Sequence, residues 1–163
     1  MIRHGIVDLL LWYNVLSLGI WCGGTLYQML VIVPLWSAAP PQSVRRFFTT
    51  TGYTRTINHF FGRRTQALRA IPLFLLPIAG WAYPDLRLWL TIPALAMAIA
   101  LAMTLAYIYP INDVLIFKAG DDLDATTIQQ LTRRWIVADR IRFAIMTIGF
   151  LALLYAFRLP HAA

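Results

Sequence analysis

Four apolar runs, each about as long as the roughly 20 residues a helix needs to cross ~30 Å of hydrocarbon, leave this sequence few folds to choose from. They cover about residues 6–36, 67–83, 86–109 and 135–157. In lipid every backbone N–H and C=O must be satisfied within the protein, so runs of this length specify helices. The composition agrees: 60% of the 163 residues are hydrophobic and 13% are charged, against about 25% charged in soluble domains. The expected fold is all-α, a four-helix transmembrane bundle forming a single integral membrane domain over residues 1–163. It is expected to be antiparallel, because the link between the second and third runs, around Pro84 and Asp85, is very short. The first run exceeds the ~7 to 15 apolar residues of a signal-peptide core and reads as a retained, tilted helix. The second is short and carries Pro72, Pro77 and Gly80, so it should kink, with the freed carbonyls turned toward protein.

Charge sets orientation and partners. The net charge is +7, but the bases lie between apolar runs, so anionic lipid head groups are the natural counter-charge rather than nucleic acid. The face holding the first and third loops carries Arg45, Arg46, Arg55, Arg63, Arg64, Arg69, Lys118, Arg133, Arg134, Arg140 and Arg142, and the other carries Arg3, Arg87 and Arg158. That asymmetry makes the two long loops cytoplasmic and both termini external, periplasmic for a bacterial inner membrane. All acids are Asp, so carboxylate-bridged di-iron sites of the Glu-x-x-His kind are excluded. Cys22 is the one cysteine, which excludes an internal disulfide and a thiolate-rich metal site. His4 and His161 are expected on the external face and His59 on the cytoplasmic one, so no axial haem pair and no metal site is read, nor any other cofactor.

The first cytoplasmic loop holds two similar blocks, Ser43-Val44-Arg45-Arg46-Phe47-Phe48 and Thr56-Ile57-Asn58-His59-Phe60-Phe61, preceded by Pro40-Pro41 and punctuated by Gly52 and Gly62. Each is expected to form a short interfacial amphipathic helix within residues 41–62, its aromatic face down and its Arg face toward head groups. The plain role is an anchor; the alternative is a gate over a cytoplasm-facing pocket. In the second loop, Gly120-Asp121-Asp122 is followed by Asp124, an N-cap from which the last helix should start near Ala125.

Polar residues inside apolar helices need partners or a purpose. Asn14, Ser17, Trp21, Thr25 and Gln28 form one stripe on the first helix, beside a Gly19/Gly23 pair that would let another helix approach. The stripe is either a hydrogen-bonded packing face or the wall of a cavity in which Gln28 or Tyr27 binds a small molecule. Trp135, Asp139 and Arg142 share a face of the last helix. Asp139 and Arg142 either neutralise each other, while Arg140 snorkels to phosphate, or Arg142 points into the bundle to bind a phenolate, carboxylate or quinone oxygen, with Asp139 or His59 as proton acceptor. Tyr109-Pro110-Ile111-Asn112-Asp113 is expected to end the third helix, with Asn112 capping the freed backbone or reaching the last helix.

At these residues the chain resembles the anthrone-oxygenase-like family of small four-helix membrane proteins. The resemblance rests on Pro110-x-Asn112-x-x-Leu115, Arg133-Arg134-Trp135 and Arg142, with Gly23-Gly24-x-Leu26-Tyr27 and Pro34 on the first helix. It departs at Ile32 and Val33, where many relatives carry polar residues, and at Asp139, where a His is often found. The resemblance implies a four-helix membrane fold and, for the fungal members, oxidation of an anthrone methylene to a carbonyl by dioxygen. On that view His59 or Asp139 is the base, Arg142 and Asn112 hold the oxyanion, and Trp135, Tyr27 and Trp21 wall a flat phenolic or quinone-like substrate. The alternative is a non-catalytic subunit, a homo-oligomer or a partner in a larger membrane complex. A cavity of roughly 300 Å³ or more would favour the first.

Overall fold

The computed structural model describes the backbone of residues 2–118, 121 and 123–159, and side chains throughout except at positions 2–4, 55 and 58. Gly120, Asp122, His161 and the side chain of His4 therefore lie outside the described residues. The elements are α1 (Ile2–Tyr27), α2 (Val33–Ser37), α3 (Gln42–Thr50), α4 (Tyr53–Phe61), α5 (Arg63–Ala79), α6 (Pro84–Met103), α7 (Tyr109–Leu115) and α8 (Ala125–Arg158). A π turn, Gln28–Ile32, joins α1 to α2, and a second, Thr104–Ile108, joins α6 to α7.

Three continuous helical stretches, Gly5–Ser37, Pro84–Leu115 and Ala125–Arg158, are long and apolar enough to cross a membrane. This corrects the expected four. The second run, read as residues 67–83, is instead the 17-residue α5 beginning at Arg63. Arg63, Arg64, Thr65, Gln66 and Arg69 fill about its first two turns, so its wholly apolar part starts only at Ala70.

A second correction concerns Pro110, which does not end its helix. A proline ring clashes with the carbonyl four residues back and donates no N–H. A π turn lies just upstream of Pro110 and widens the ladder where that clash falls. Pro34 stands in the same relation to the first π turn.

The bundle is antiparallel, as its ring and side-chain pairs show. From α1 to α8, Trp12 meets Phe157 and Trp21 meets Arg142. From α6 to α8, Trp89 meets Tyr155 and Thr104 meets Arg142. Gly149 lets α8 close on α6, since a Cβ there would lie 2.9 Å from the Ala96 Cβ and 3.2 Å from the Pro93 Cα. The Gly19/Gly23 pair is only half a packing motif: Gly19 faces the Phe150 ring, whereas nothing lies within 4 Å of a Cβ built on Gly23. Gly24 makes the tight approach instead, against the Phe60 ring of α4. On α5, Pro72 deprives the Leu68 carbonyl of its helical donor, and Tyr13 Oη of α1 donates to it at 2.9 Å. Asn14 Nδ2 donates to Leu10 O at 2.7 Å and to Pro72 O at 3.3 Å.

The loop between α2 and α5 folds as two amphipathic helices. α3 buries Val44 and Phe48, and Phe48 packs on Trp36, which meets Trp135 edge-on at 5.3 Å. Gly52, at φ +64, supplies the left-handed turn between α3 and α4. α4 is held to α5 by Arg69, whose Nη1 donates to Phe60 O at 3.1 Å and whose guanidinium lies 4.7 Å from the Phe60 ring centre. The last helix starts where the sequence places it, with Thr127 N donating to the Asp124 carboxylate at 3.3 Å.

Candidate functional site

The stripe on α8 faces inward, and its charged members are deeply buried: Asp139 is 1% and Arg142 6% exposed. Arg142 Nη2 donates to Asp139 Oδ1 at 2.5 Å, an i, i+3 ion pair on one helix face. Arg142 Nη1 donates to Thr104 Oγ1 at 3.1 Å, and Thr104 Oγ1 in turn donates to Ala100 O. Behind the guanidinium, the Trp21 ring centre lies 5.6 Å away, within cation–π range. Burying a charge is tolerable only with partners. Arg142 has them on one side only, because its Nε lacks one.

In front of Arg142 lies a cavity of about 190 Å³, walled by α4, α5, the two π turns, α7 and α8. Gln28, Thr104, Asn112, Trp135 and Arg142 all line it. Trp135 Nε1 donates to Asn112 Oδ1 at 2.6 Å, so Asn112 bridges to the last helix. Gln28 is 5% exposed and its Oε1 has no partner. Arg63, Gln66 and the exposed Asp113 also line the cavity. A neighbouring groove of about 350 Å³ between α1 and α4 is walled by Gly24, Tyr27, Ile32, Tyr53, Thr56 and Phe60. The two spaces share Gln28, Ile57 and Phe61. Burial pushes the Tyr53 phenol well above its usual range, with the Asp139 charge adding to the effect.

Of the eight site residues drawn from the sequence, Gln28, Asn112, Trp135 and Arg142 meet on this cavity. Trp21 and Asp139 touch Arg142 without lining it. Tyr27, 59% exposed, walls the adjoining groove. His59 is exposed and lines neither space; its backbone carbonyl accepts from Thr65 Oγ1 at 3.0 Å. The residue that sequence reading missed is Thr104. It opens the second π turn six residues before Pro110, as Gln28 opens the first six residues before Pro34. That matched spacing of a polar residue ahead of an intramembrane proline is the signal that could have found it.

Four more buried polar atoms without hydrogen-bond partners belong to the same two stripes: Trp21 Nε1 and Thr25 Oγ1 on α1, and Thr132 Oγ1 and Asp139 Oδ2 on α8. Such atoms are rare in native proteins because each costs about 1–3 kcal/mol. Their gathering on the helix faces that carry Gln28 and Arg142 fits a site for a polar group. Among the described residues no three of His, Cys, Asp and Glu come together so as to hold a metal ion. No family model, curated protein or solved structure matches this chain.

Proposed function

We propose that this is an integral membrane protein that binds a flat phenolic or quinone-like molecule by one of its oxygens and, in line with its anthrone-oxygenase resemblance, oxidises it with dioxygen. The observation that carries the binding is the half-satisfied Arg142 guanidinium, which faces a cavity also lined by the unpartnered Gln28 amide oxygen. A buried guanidinium with an unused N–H is a strong, directional donor for an anionic or carbonyl oxygen. Asp139 and Thr104 act as positioning residues that hold it in place. Asp113 lines the mouth of the cavity and is the proton acceptor best placed for an acidic C–H. Loss of that proton leaves a carbanion delocalised onto the oxygen at Arg142. Dioxygen adds at the carbon, and the resulting hydroperoxide eliminates water, so that a CH2 and O2 become C=O and H2O.

The positive-inside bias places the loop-bearing end of the cavity at the cytoplasmic leaflet of a bacterial inner membrane. There, anionic head groups meet the exposed Arg46, Arg133 and Arg134.

The test is absorption spectroscopy with native mass spectrometry on protein purified in mild detergent. The comparison is with Arg142→Met and with the double variant Asp139→Leu/Arg142→Met, which leaves no buried charge unpaired. A stoichiometric aromatic ligand present in the parent and absent from both variants supports the reading, and oxygen uptake with an anthrone or hydroquinone then assays the chemistry. A ligand-free protein arriving with another chain at fixed stoichiometry replaces it with the membrane-subunit reading.

A further inference from the structure

The cavity at Arg142 is small. About 190 Å³ falls below the roughly 300 Å³ at which pockets for drug-sized ligands begin, so a fused three-ring substrate does not fit within it. The space continues, however, past Gln28, Ile57 and Phe61 into the groove of about 350 Å³ between α1 and α4. The two compartments differ in chemistry. The first presents Arg142, Gln28, Thr104 and Asn112. The second is walled mainly by apolar and aromatic side chains and runs along the exposed Tyr27. Gly24 shapes the far wall: without a Cβ, α1 lets the Phe60 ring seat against its backbone, and any larger residue would displace that ring.

From this arrangement we infer that the ligand is an amphiphile with a single oxygen-bearing ring and an apolar tail. The ring sits at Arg142, and the tail leaves through the α1–α4 groove toward lipid. This rests on the binding role proposed for Arg142 and narrows the ligand class within it. Gln28 stands at the junction, where ring and tail meet. Residues of the groove, Thr56 and Tyr27 among them, set tail preference, while Arg142 sets head recognition. An enclosed head site with an apolar exit also explains how a hydrophobic substrate is taken up without crossing water.

The experiment measures quenching of tryptophan fluorescence in the full chain by three probes: a methylbenzoquinone, the same ring bearing a decyl tail, and a three-ring anthrone. Parent, Thr56→Phe and Arg142→Met proteins are compared. Thr56 is exposed on α4, so a phenyl ring there fills the groove without disturbing the core. Retained binding of the tailless ring shows that the Thr56→Phe variant is folded. In the parent, the tail is expected to tighten binding by at least about tenfold, the equivalent of roughly two buried methylenes. In Thr56→Phe that gain is expected to disappear while the tailless ring binds as before. An equal gain in both proteins would mean that the tail merely partitions into detergent or lipid, and would overturn the inference. Tighter binding of the anthrone than of the tailed ring would overturn it too, leaving the role of Arg142 standing. Binding of all three probes unchanged in Arg142→Met would overturn the proposed function itself, and the tail assignment with it.

Discussion

The Asp139–Arg142 pair is the most consequential pair of side chains in the molecule, because each partner makes the burial of the other affordable. Removing one member of a buried pair strands a charge and typically costs about 3–5 kcal/mol, whereas replacing both with apolar residues of similar volume is often neutral. Arg142→Met and Asp139→Leu are therefore expected to lower stability by about that much each, and the double variant by far less than their sum. Unfolding of the four proteins in mixed micelles, read as a double-mutant cycle, checks this. Full additivity would show that the two charges do not depend on each other. The i, i+3 spacing of the pair was readable from the sequence because both residues lie on one helix. Thr104, the third member, was not, since its approach to Arg142 depends on how α6 is wound two turns before a proline on another element. His59 looked chemically attractive as a base, but the amphipathic face of α4 turns its apolar residues inward and leaves His59 outside.

Among the elements, α5 shows how a proline-bearing helix is completed by its neighbour. Tyr13 supplies the hydrogen bond that the Leu68 carbonyl lost to Pro72. Tyr13→Phe is expected to cost about 0.5–1.5 kcal/mol. In a Pro72→Ala background, where residue 72 regains the N–H that serves that carbonyl, the same change should cost close to nothing. Unfolding midpoints of the four proteins test the idea, and an equal cost in both backgrounds would reject it. The kink and its inward-facing carbonyl followed from the proline alone, but the start of α5 did not. A run of Arg, Thr and Gln reads as loop until the Gly62 cap and the Arg69–Phe60 contact show it to be helix. At the head of α8, the hydrogen bond from Thr127 holds the Asp124 carboxyl below its usual range. The cap therefore stabilises fully above the ordinary carboxylate range and is lost as pH falls through the depressed native value. The stability difference between the parent and Asp124→Ala should shrink toward zero over that acid window. A difference that persists unchanged at the lowest pH would assign the cap's effect to something other than the ionised carboxylate.

For the whole molecule, the antiparallel arrangement was legible because long apolar runs joined by short links admit little else, while the size and shape of the cavity were not. They depend on which helices bulge, and on α4 folding back over α1 rather than lying flat. The orientation proposed from the Arg distribution predicts that, in a Cys22→Ser background, a cysteine at Asp121 reacts with a membrane-impermeant thiol reagent only after cells are opened. One at Leu159 should react in intact cells whose outer membrane is permeabilised. The reverse pattern would invert the topology. The two π turns carry a wider consequence for how such a chain can change over time. Each accommodates one residue beyond the ordinary helical winding, so it sets the rotational phase of everything that follows it. Deleting a single residue within Thr104–Ile108 would let the helix run on evenly, yet would swing Asn112 by about 100° around its axis, away from Trp135. Drift by substitution is thus open to this bundle, whereas drift in length is barred at two places, and both lie beside Arg142.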